Sequence, residues 1–132
     1  MLRVVFSLMN MKKKRQYDTE AWAKLLLHLK SLLGKTPDLN AILFLIGVQE
    51  LGKGLRDFSK EEKQDLMHIA VCKLLSLPGY YRLTGTDKDG WPQWESTELL
   101  PYLSLAEQED LLRMNILEYF ASENIFDAFE NA

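Results

Sequence analysis

The spacing of apolar positions predicts the first element of the chain. Trp22, Leu25, Leu26, Leu29, Leu32 and Leu33 recur at the i, i+3, i+4, i+7 interval of one helical face, so residues 18–33 read as an amphipathic helix. Asp18 or Thr19 offers an oxygen to its first free backbone N–H groups, and Gly34 supplies a left-handed residue to end it. Thr36 ahead of Pro37 predicts a second start, because proline's fixed φ and missing N–H suit the first helical turn. Residues 42–48 are apolar all round, as in a central helix covered on several sides. A buried strand has the same local pattern, but the start signal and the distance to Gly52 favour a helix.

Two capping boxes come next. Ser59 with Glu62, and Ser104 with Glu107, can each satisfy two helix-start N–H groups reciprocally, which predicts helices over 60–77 and 105–121. The two starts look alike, yet such short patterns converge easily and do not establish a duplication. Between the helices, Pro78 and Gly79 stop the first, residues 80–84 read as extended, residues 87–90 (DKDG) as a turn, and residues 91–95 as a second strand. Pro92 confines that strand to an edge. The expected fold is mainly α: a four-helix domain with a small β-hairpin between the third and fourth main helices. Residues 17–121 form this domain, 1–16 an apolar and basic arm, and 122–132 an acidic tail whose Ile125, Phe126 and Phe129 either dock or fray.

Composition supports one ordinary core. The 132 residues are 47% apolar and 27% charged with one cysteine, which excludes collagen-like, disulfide-scaffold and disordered classes. A lone cysteine closes no intramolecular bridge, so a reducing compartment is the natural setting. The first eleven residues, MLRVVFSLMNM, are followed by Lys12, Lys13, Lys14 and Arg15, the reverse of the charge order in a secretory signal. They also fall short of the roughly 20 apolar residues that cross a bilayer. We therefore expect a cytoplasmic protein with no membrane partner; translation from Met9 or Met11 would shorten this arm.

The net charge of -3 hides a polarity. Residues 1–36 carry eight basic groups against two acidic, whereas residues 98–132 carry eight acidic groups against Arg113 alone. Opposite ends of this kind invite pairing within one chain or between copies. Separately solvated faces are the plainer account, since exposed pairs are worth about 0–1 kcal/mol each.

Residues 47–54 (GVQELGKG) match the G-x-x-x-x-G-K part of a phosphate-binding loop, but Gly54 replaces the hydroxyl residue that reaches magnesium. Glu50 would also face the phosphates, so helix termination at Gly52 is the preferred reading. Asp87, Asp89 and Gly90 suggest a calcium loop until the register places Gly85 and Ser96 where its essential carboxylates belong. A hairpin turn explains them, and no metal or cofactor is expected. Asp65, His68 and Cys72, with Glu61, project from one side of the third helix, opposite Leu66, Met67, Ala70, Val71, Leu74 and Leu77. This side is either a polar surface or a small site with a histidine-activated thiol. Five of fourteen aromatics, Tyr80, Tyr81, Trp91, Trp94 and Tyr102, gather around the hairpin, where such rings either pack it down or form a binding surface.

The order of elements resembles that of winged-helix proteins, whose third helix and hairpin touch DNA. Here Glu61, Glu62 and Asp65 begin that helix and Asp87 and Asp89 occupy the hairpin turn, which disfavours phosphate contact. Residues 46–52 (IGVQELG), 66–72 (LMHIAVC) and 89–95 (DGWPQWE) resemble segments of an uncharacterised family of small, mainly helical bacterial proteins. That resemblance spans residues 17–120 and implies no reaction, cofactor or site residue. The sequence thus favours a non-catalytic protein-interaction module that binds a protein partner or itself. A winged-helix-like nucleic-acid binder using the basic arm is the first alternative, and a small-molecule-binding enzyme the second.

Overall fold

A computed structural model describes residues 16–98 and 100–123 and is mainly α, with four helices and a two-stranded antiparallel hairpin between the third and fourth. The elements are α1 (Thr19–Leu33), α2 (Leu39–Leu51), α3 (Lys60–Ser76), β1 (Tyr81–Thr86), β2 (Pro92–Ser96) and α4 (Leu105–Glu123). The expectations for the basic arm and most of the acidic tail fall outside the described residues. No described helix is long and apolar enough to cross a membrane.

Local chemistry accounts for the helix ends. Asp18 accepts a hydrogen bond from the Ala21 amide at 3.0 Å, and Gly34 closes α1 at φ 85°. The start of α2 differs from expectation. Asp38, not Thr36, caps it, accepting from the Ala41 amide at 2.8 Å, so Pro37 lies just before the helix. Aspartate is the stronger cap. Both capping boxes form: Ser59 and Glu62 exchange bonds of 2.9 and 3.1 Å, and Ser104 and Glu107 bonds of 3.1 and 3.2 Å.

The hairpin is shifted by a residue from its expected start. Asp87 Oδ1 accepts from the amides of Asp89 and Trp91, each at 2.9 Å, so Trp91 closes the turn and β2 begins at Pro92. Leu83 pairs with Trp94 and Gly85 with Gln93, leaving an irregularity at Thr84. Gly85 takes φ 142° there, a conformation that glycine adopts without a Cβ penalty.

Packing divides into two regions. The main core joins Leu25 and Leu29 of α1, Ile42, Leu43 and Ile46 of α2, Ala70 and Leu74 of α3, and Ile116, Tyr119 and Phe120 of α4. Burying each Leu or Ile here contributes about 1.5–3 kcal/mol. A smaller cluster of Val48, Leu51, Phe58 and Leu66 receives Phe44 and Trp91, which anchors the hairpin. Gly47 lets α2 and α3 touch: a Cβ there would lie 2.1 Å from the Leu66 carbonyl oxygen.

One half-buried polar network crosses three helices. The Tyr119 hydroxyl of α4 donates to Glu50 of α2 at 2.7 Å, and Lys73 of α3 approaches the other Glu50 oxygen at 3.9 Å. The Glu50 once placed in a phosphate-loop pattern is therefore a structural acid inside a helix. A second network sits on α4, where Arg113 bonds Asp110 at 3.0 Å and lies over the rings of Tyr17 and Trp22.

Candidate functional site

The hairpin folds back along α3, and its inner side with the exposed side of that helix forms a cleft of about 310 Å³. Asp65, His68 and Ile69 line the helical wall; Asp87, Trp91, Pro92, Gln93 and Trp94 line the other. Alternation along β2 produces this arrangement, because Pro92 and Trp94 share one face of the strand and are half-buried. Trp91 is held from below by the smaller apolar cluster, so it both anchors the hairpin and contributes to the cleft.

The polar groups here are unevenly satisfied. Asp87 uses one carboxylate oxygen to hold its own turn. Asp65 is exposed, and no described residue pairs with it or donates to it. The Trp94 indole N–H is out of water and has no acceptor. A buried donor without a partner costs about 1–3 kcal/mol, so this N–H favours any acceptor that reaches it.

Cys72 departs from the surface position expected of it. It is fully buried, because α3 is covered by more than its main apolar stripe; Leu66, Ile69, Ala70, Cys72, Leu74 and Leu75 are all buried. Its sulfur lies 3.5 Å from Nε2 of His68, while His68 itself is exposed. Burial pushes the thiol up to about 11, so it stays protonated at neutral pH and is not the activated nucleophile that the His68–Cys72 spacing allowed. Among the described residues no three or more His, Cys, Asp or Glu side chains gather as a metal site.

The five aromatic residues do not share one surface. Trp91 and Trp94 belong to the cleft. Tyr81 lines a separate apolar groove of about 250 Å³ with Val71, Leu75, Pro101 and Leu112. Tyr80 lines a hollow beside it with Leu103 and Met114, and Tyr102 is 99% exposed. Sequence spacing grouped the five rings because it does not show on which side of the hairpin each lies. The apolar groove itself went unread, since Leu100, Pro101 and Leu103 carry no periodic signal.

No family model, curated protein or solved structure matches this chain. Val48 and Leu51, Leu66, and Trp91 meet in the smaller apolar cluster that backs the cleft.

Proposed function

We propose that this chain is a cytoplasmic protein-interaction module without catalytic activity, which recognises a protein partner through the cleft between α3 and the hairpin. One observation carries the reading: Trp91 and Trp94 meet Asp65, His68 and Asp87 in a single concavity. Indole rings supply large contact area at low conformational cost, and the polar groups around them give orientation. The only thiol nearby is buried and protonated, which speaks for binding over covalent chemistry. The acidic helix start and turn work against a nucleic-acid backbone, which demands neutralising cations.

The test is a degenerate peptide array probed with the full chain and with Trp94→Phe and Trp91→Phe, whose folding is checked by thermal unfolding. Peptides retained by the parent and lost by either folded variant support the reading. Equal retention by all three proteins, or none, overturns it. Light scattering at low and high salt decides whether the partner is a second copy held by opposite charges; association insensitive to salt excludes that pairing.

A further inference from the structure

Resting on this interaction reading, we propose that the cleft takes a lysine or arginine side chain from a basic segment of its partner. Trp91 and Trp94 flank the cation, Asp65 and Asp87 balance its charge, and a peptide carbonyl accepts the Trp94 indole N–H once the half-buried ring turns it towards the cleft.

The cleft is acidic, and its acids lack cations among the described residues. Among the described residues, no lysine or arginine pairs with the carboxylate of Asp65 or Asp87. Lys53 reaches the same turn, but its ammonium donates to the Asp89 carbonyl and forms no ion pair with Asp65 or Asp87. Among the described residues the two indoles are equally without a cation. Arg56 lies 5.0 Å from the Phe58 ring centre and Arg113 lies 5.5 and 5.8 Å from Tyr17 and Trp22, whereas no described cation lies over Trp91 or Trp94. Indole is the best of the aromatic side chains for this contact.

Geometry separates an organic cation from a metal ion. Asp65, His68 and Asp87 border one cleft but do not converge as a metal-binding group. A volume of about 310 Å³ instead suits the end of a long side chain and its attached peptide unit. The buried Trp94 N–H adds a demand that a cation cannot meet, because it needs an acceptor. A basic peptide carries both groups a few bonds apart.

The measurement follows the two indole N–H resonances of the full chain in titrations with acetyl-Gly-Lys-Gly-amide, its norleucine analogue and n-butylammonium. Saturable shifts of both indoles are expected with the lysine peptide, and weaker or absent shifts with the other two. Asp65→Asn, which breaks no bond within the fold, should weaken the lysine peptide about threefold, as expected for one partly screened charge. Asp65→Lys should abolish the shifts by placing a cation in the cleft. Equal binding of the norleucine peptide, or an unchanged affinity in Asp65→Asn, overturns the cation assignment. Butylammonium binding as tightly as the peptide overturns the carbonyl contact. Norleucine-peptide binding that requires Trp94 leaves the interaction module standing without its cation; no binding in this titration or in the degenerate array overturns both.

Discussion

Cys72 shows how burial sets reactivity at a single residue. Its thiol is raised from 9.0 to about 11 by loss of solvent, so the folded state holds this proton more tightly than the unfolded chain. The resulting stability is complete below about pH 9 and is lost as the pH rises towards 11. Alkaline unfolding measured for the parent and Cys72→Ala should therefore differ in slope across that window, and parallel curves would refute the assignment. A thiol reagent at pH 8 should react far more slowly with the folded chain than with the chain in denaturant. Glu62 shows the opposite sign. The Ser59 backbone N–H holds its carboxyl below the usual range, partly opposed by desolvation and helped by the Ser59 hydroxyl and Arg56. Its contribution is present at neutral pH and is lost as the pH falls through the lowered value. Glu62→Gln should remove part of the acid sensitivity of unfolding and lower neutral-pH stability by the charge's own contribution, since glutamine completes the capping box only as a neutral acceptor.

Helices were legible in the sequence wherever their ends carried their own chemistry. Asp18, Gly34, Gly52 and the two Ser-x-x-Glu boxes act through hydrogen bonds a few residues long, so spacing alone locates them. Thr36 and Asp38 both suit a cap, and only the full backbone path selects the second. Burial around α3 was less legible because a helical wheel assumes one covered face. Leu66 instead packs in the smaller apolar cluster, Leu75 lines the groove beside Tyr81 and Cys72 is buried as well, while the side holding Asp65 and His68 remains open as the cleft wall. Gly47 stands in a phosphate-loop match that the sequence itself disfavours, and its role, the close approach of α2 to α3, has no signal in the spacing. Gly47→Ala should destabilise the fold by about 3 kcal/mol, since the clash is with the Leu66 backbone and the helices must separate. Scanning calorimetry should show a fall in Tm of about 10 °C. A change of under about 2 °C would mean that the helices separate without cost. The Glu50–Tyr119 bond also joins elements distant in sequence. Tyr119→Phe should cost about 1–2 kcal/mol by removing a buried donor from a carboxylate. Its loss should be much smaller in a Glu50→Ala background if the two groups act as a pair.

At the scale of the whole molecule, the two apolar regions divide stability unequally. Four helices share the main core, whereas the hairpin is fastened chiefly by Trp91 against Val48, Leu51, Phe58 and Leu66. Every residue of β1 after Tyr81 is exposed, so its ladder receives little protection from side-chain burial. A segment with few buried contacts opens at a lower free energy than the core that carries it. Amide exchange should therefore proceed by local opening in 81–96 and by global unfolding in the buried turns of α2, α3 and α4. Trp91→Ala should cost about 2 kcal/mol, less than a fully buried tryptophan, and should abolish hairpin protection while the Ile42, Leu74 and Ile116 amides stay slow. Uniform loss of protection would instead make the hairpin part of one cooperative unit. This separation matters for recognition, because a cleft whose second wall opens alone gains order when it is filled. A ligand that bridges α3 and the hairpin must then raise hairpin protection by its own binding free energy, with little change in the helical core until the two opening energies meet. Protection that rises equally in both regions would place the binding surface on the helices and not in the cleft.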